Sequence, residues 1–131
     1  MLAAMDASQA IADLTEISPQ VRHVVVLAAD GAVAGSNLAT ETPAERLAMG
    51  ARQLLAAAEE LRPGVAQLEA ATVDGSVFVV RDGDRLIAAT TTPEPTVGLV
   101  FYDLKTCLRS IDPPKPKRAP RKKKEDTDAA S

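Results

Sequence analysis

His23 and Cys107 are the single histidine and single cysteine of this 131-residue chain, and they are the residues best suited by type to act as a base, a nucleophile or a soft metal ligand. Nucleophilic catalysis needs a base within hydrogen-bond reach of a serine or cysteine. His23 heads the apolar run RHVVVL, which predicts a structural residue at the start of a buried strand. Cys107 falls between Leu104 and Leu108 at helical spacing, the pattern of a buried, inert thiol. With one cysteine and one histidine, neither an intramolecular disulfide nor a zinc site made of Cys and His can form. The acids Asp30, Asp74, Asp82 and Asp84 each adjoin a glycine, where Asp favours a turn rather than a cation. No catalytic residue, metal or cofactor is therefore expected, and the chain reads as a non-enzyme.

The elements that carry these residues follow from periodicity and punctuation. Leu2, Met5, Ala10, Leu14 and Ile17 share one face of a first helix that Ser18-Pro19 ends. RHVVVLAADGAVAGSN is a hairpin turned at Asp30-Gly31. Thr42-Pro43-Ala44-Glu45 combines an N-cap hydroxyl, a proline at the first helical position and an acid three residues on, which starts a second helix that stops at Pro63-Gly64. Strands three to five are expected over roughly 66–73, 76–82 and 85–91, with turns at Asp74-Gly75 and Asp82-Gly83. A last helix runs from Thr96 to Ile111, where Pro113-Pro114 forbids continuation. The order is α-β-β-α-β-β-β-α. Strands one, four and five are apolar on both faces and form the middle of the sheet; strands two and three are the rims.

The net charge of −3 conceals an asymmetry: the chain has 14 acids and 8 bases up to Ile111, then 4 acids and 7 bases. The last segment, DPPKPKRAPRKKKEDTDAAS, has no branched or aromatic apolar residue and is expected to be disordered. The division is a domain over 1–111 and a basic tail over 112–131. Lys115, Lys117, Arg118, Arg121, Lys122, Lys123 and Lys124 could contact nucleic acid or an anionic membrane through phosphates, with no aromatic there to stack on bases. The N-terminus lacks the basic and apolar regions of a signal peptide and no stretch has transmembrane length, which predicts a cytoplasmic protein without integral membrane association.

The second helix carries more apolar surface than a sheet face needs. Leu47, Ala51, Leu54, Ala58 and Leu61 fall in one stripe and are assigned to the core. Met49, Gly50, Ala56 and Ala57 lie outside it among Arg46, Gln53 and Glu60, where Gly50 and Ala57 permit close approach of a second copy of the helix. Rim strand three, with Glu69, Ala71 and Val73, is free to pair with its own copy. A homodimer joins two such surfaces by two-fold symmetry.

Taken together, IADLTEISPQVRHVVVLAADGAVAGSN, TPAERLAMGARQLLAAAEEL, VDGSVFVVRDGDRLIAATTT and VGLVFYDLKTCL resemble the Roadblock family of dynein light chains and bacterial gliding-protein regulators, over roughly residues 10–111. The resemblance implies an α/β fold: a five-stranded antiparallel sheet with helix two on one face, the terminal helices on the other, and a dimer joined through strand three and helix two. The basic tail departs from that family. The resemblance further implies binding of a Ras-like small GTPase and control of its nucleotide cycle or location. The chain is not itself the GTPase, because it lacks the Gly-x-x-x-x-Gly-Lys-Ser/Thr phosphate loop. Its partner surface is expected at Arg46, Met49, Gly50, Gln53, Ala56, Ala57 and Glu60, shared with the dimer seam. Arg46, Arg52 and Arg62 are candidates for an arginine finger supplied in trans, against a solvated face with Arg paired to Glu59 or Glu60. The rival functions are a structural adaptor whose tail docks to a polyanion or protein, and a PAS-type small-molecule sensor, for which the chain has few residues to line a pocket.

Overall fold

The computed structural model describes residues 5–111. They form α1 (Ala7–Ile17), β1 (Val21–Leu27), β2 (Val33–Ser36), α2 (Glu41–Leu61), β3 (Gln67–Thr72), β4 (Gly75–Asp82), β5 (Arg85–Thr91) and α3 (Val97–Ser110). The strands make one antiparallel sheet in the order β2-β1-β5-β4-β3. The element order, the sheet and the central place of β1, β5 and β4 are those expected from the sequence. Leu2 and the segment 112–131, with its seven expected polyanion contacts, lie outside the described residues.

Alternation along the strands divides the core in two. Val24, Val26, Phe78, Val80, Ile87 and Ala89 point to one face and are buried against α1 and α3. Val25, Leu27, Val79, Leu86 and Ala88 point to the other, against α2. The first face holds the chain's aromatic pair: Phe78, fully buried, meets Phe101 edge to face at a centroid distance of 4.9 Å. Elsewhere the core is aliphatic.

The turns explain two glycines. Gly83 takes φ +66° in the β4–β5 hairpin, a left-handed conformation costly for a side chain. Gly75 has φ +141°, and a Cβ there would sit 1.9 Å from the Thr91 carbonyl oxygen, so the β3–β4 turn can approach β5 only without a side chain.

Three features differ from the sequence expectation. The second helix begins at Glu41 with Thr40, not Thr42, as its cap, and Pro43 is accommodated in the first turn, whose amides have no intrahelical partner to lose. In α1 the buried stripe is Ala7, Ala10, Ile11 and Leu14; Ile17, expected inside, is 65% exposed. His23 is exposed on β1 rather than buried, and its backbone amide donates to Thr90 Oγ1 at 3.3 Å.

Candidate functional site: a protein-docking face

The surface of interest is built on α2. Its buried stripe is Ala44, Ala48, Ala51 and Leu55, in which three alanines are small enough to let the helix lie close over β1, β2 and β5. This bears out Ala51 as core and corrects Leu61, which is 86% exposed. Leu47 and Leu54 are half-buried against the edge of that core, and Ala58 is half-buried beside them. The helix is rotated from the expected orientation because alanines can serve as core where backbone and sheet approach closely, which leaves Leu47 and Leu54 at the edge of the core and Leu61 outside it.

The rotation produces a seam. Leu47, Gly50, Leu54, Ala57 and Leu61 recur at alternating spacings of three and four, the pattern by which one helix presents a continuous apolar edge to another. A Cβ built on Gly50 would meet nothing within 4 Å, so no contact among the described residues explains the glycine. The apolar surface continues off the helix: Leu47, Leu54, Val65, Leu68 and Val77 are all partly buried against the α2-side core. Leu68 and Ala70 pair with Val79 and Val77, which places the two β3 residues on the α2 face of the sheet.

The other residues singled out in the sequence are placed as follows. Arg46, Met49, Gln53, Ala56, Ala57 and Glu60 are on the outer surface of α2, and Gly50 is half-exposed. Glu69 and Ala71 are exposed on rim strand β3 but pair with Phe78 and Ser76, so they face the α1–α3 side. Glu69 accepts a hydrogen bond from Ser76 Oγ at 2.7 Å. Val73, expected within the strand, lies just beyond it in the turn and is 92% exposed. The exposure of Leu61 and the partial exposure of Leu47, Leu54 and Leu68 were missed; the three-four spacing is the signal that identifies those on the helix.

Two polar contacts fix α2. Arg52 Nη1 donates to the Gly31 carbonyl at 2.9 Å, which ties the helix to the β1–β2 turn. Arg81 Nη2 on β4 donates to Glu59 Oε2 and to the Val65 carbonyl, while Glu59 accepts from the Gly64 and Val65 amides. The Arg81 hydrogen bond, followed by those two amides, holds the Glu59 carboxyl below its ordinary range. Among the described residues none of Arg46, Arg52 and Arg62 pairs with Glu59 or Glu60: Arg52 is engaged with a carbonyl and Glu59 with Arg81. Arg46 and Arg62 are exposed.

Cys107 is buried in α3, as its spacing indicated, and burial, with a smaller contribution from the Asp13 charge, pushes its thiol up to about 11. Among the turn acids, Asp30 Oδ1 accepts from the Ala32 amide at 2.9 Å and Asp82 Oδ2 lies 3.6 Å from Arg109 Nε. Among the described residues, no group of three or more His, Cys, Asp or Glu side chains is placed to hold a metal ion, and no helix is long and apolar enough to cross a membrane.

No protein-family model and no curated protein matches the sequence. Solved structures do. A Roadblock/LC7 domain from Streptomyces avermitilis superposes with a TM-score of 0.68 at 18% identity, covering 82% of this chain and 94% of that one. A second structure of a Roadblock/LC7 domain from that organism gives 0.64 at 25% identity, covering 79% and 95%. The gliding protein MglB from Thermus thermophilus gives 0.66 at 14% identity, covering 80% and 84%. The architecture of this chain is that of the Roadblock/LC7 fold.

Proposed function

We propose that this Roadblock-fold chain is a non-catalytic, homodimeric regulator or adaptor that binds a Ras-like small GTPase and influences its nucleotide cycle or location. The observation that carries the reading is the unpartnered α2 seam, Leu47-Gly50-Leu54-Ala57-Leu61, continuous with the partly buried Leu68 on an open rim strand. A leucine moved from water into a full contact contributes about 1.5–3 kcal/mol. The exposed parts of these leucines in two copies would supply the favourable part of association. Two-fold pairing would set α2 against α2 and β3 against β3, completing the hydrogen bonds of the rim.

The polar flank of α2, with Arg46, Met49, Gln53 and Glu60, then remains on the outside of the dimer for a partner. The small GTPase comes from the family resemblance and from likeness in fold to MglB; nothing in the site acts on nucleotide by itself. Arg46 and Arg62 are the helix arginines that can extend toward a partner directly, whereas Arg52 would first have to leave Gly31. The test is capture of the tagged protein's partners from native extract, followed by reconstitution with each recovered GTPase. Direct binding to one GTPase and an altered hydrolysis or exchange rate are expected. Binding with unchanged rates would reduce the function to adaptor, and failure of every recovered GTPase to bind would overturn it.

A further inference from the structure

The opposite face of the molecule carries a second feature that dimerisation through α2 does not use. Helices α1 and α3 lie side by side there. Met5 bridges Ile111 at one end, and Gln20 Oε1 accepts from the Thr96 amide at the other, so the helices run antiparallel in a register that sets Asp13 across from Asp103. Between them is a solvent-open groove of about 130 Å³ with apolar walls, Leu14 and Cys107 among them, and the two carboxylates are its charged lining. No basic residue lines it.

Asp103 is the unusual member. It is 8% exposed, yet among the described residues it makes no hydrogen bond or ion pair, and it opens onto the groove. Asp13 shares one oxygen with Gln9 Nε2 at 3.1 Å. The nearby bases are otherwise placed: Arg109 faces Asp82, Arg85 donates to the Ile111 carbonyl, and Lys105 is outside the groove lining.

We infer that this groove is the docking surface of the chain's own basic segment Lys115–Lys124, with Lys115 seated between Asp13 and Asp103. The segment starts at the right place. Ile111 ends α3 beside the groove, and Asp112-Pro113-Pro114 separates it from Lys115. Seven helical residues from Ser110 back to Asp103 span about 10 Å. Four residues of proline-rich extended chain span about 12 Å, which brings Lys115 abreast of the carboxylate pair. Covalent attachment makes the encounter intramolecular, with an effective concentration on the order of millimolar.

Limited tryptic digestion of the full chain tests this, with cleavage after Lys117 and Arg118 read by mass and normalised to a free peptide of residues 112–131. Because cleavage tracks the undocked population, the expected result is about five-fold slower release at low salt than at high salt. The same loss of protection is expected in Asp13→Asn/Asp103→Asn and in Lys115→Gln; the latter leaves the core untouched should the double variant not fold. Equal rates at both salts, or protection that persists in Lys115→Gln, would overturn the assignment. Protection that rises with protein concentration would overturn it too, because the occupant would then be a second copy's segment.

Discussion

Arg81 Nη2 on β4 lies 2.5 Å from Glu59 Oε2 on α2, and the same guanidinium holds the Val65 carbonyl at 2.6 Å. The pair joins the C-terminal end of α2, the loop after it and the sheet at one point. It ties the end of α2 that carries the exposed Leu61 to the sheet.

The Glu59 carboxyl is held below its ordinary value of 4.5, so the native state binds fewer protons than the unfolded chain in acid. Its contribution is fully present above about 4.5 and is lost as pH falls through the lower native value. Urea unfolding of the native chain and Glu59→Gln should therefore differ at about pH 6 and converge in strong acid, with Glu59→Gln the less stable near neutrality. A constant difference across that range would contradict the assignment.

Cys107 supplies the opposite limb. Its thiol is raised from 9.0 to about 11, so the native state keeps a proton that the unfolded chain releases. Stability should decline as pH rises from 9.0 to about 11, and Cys107→Ala should flatten that part of the pH profile. Alkylation of the native thiol should remain slow through about pH 9.

Gly75→Ala places a Cβ 1.9 Å from the Thr91 carbonyl at a φ of +141°. Displacing β5 backbone to relieve this is expected to cost about 2 kcal/mol or more, measured by denaturant unfolding. Gly83→Ala, at φ +66° but with nothing within 4 Å of the new Cβ, should cost less.

Local and non-local determinants separate cleanly along the chain. The Asp-Gly pairs at 30–31 and 82–83, the β-branched runs and the Ser18-Pro19 stop are local signals, and they gave the element order and the central strands, although the β4–β5 turn itself falls at Gly83-Asp84, with Asp82 still in the strand opposite Arg85. The orientation of α2 is not local. A stripe of leucines and a stripe of alanines are both apolar, and which faces the sheet depends on how closely the helix approaches β1 and β5. Ala44, Ala48 and Ala51 face the sheet because a small side chain permits that approach. The same ambiguity hid the exposure of Leu61 and the half-exposure of Leu47 and Leu54. His23 was grouped with its hydrophobic neighbours, although it precedes the part of β1 that is covered on both faces.

Gly50 separates a packing role from a chance exposure. In an isolated chain Gly50→Ala should stabilise the helix by about 0.5–1 kcal/mol, because the new methyl meets nothing. At a close seam between two copies it should weaken the dimer instead. Tighter folding of the dissociated chain together with weaker self-association is expected, read by unfolding at high and low protein concentration.

The α2 seam is tested most sharply by sedimentation equilibrium of the unaltered chain beside Leu54→Arg. A seam joining two copies predicts a mass twice the 13.7 kDa of one chain for the unaltered protein, and a dissociation constant raised on the order of 100-fold by the buried charge in Leu54→Arg. A single-chain mass for the unaltered protein at high micromolar concentration, or an unchanged dimer in a folded Leu54→Arg, would rule the seam out as the dimer contact.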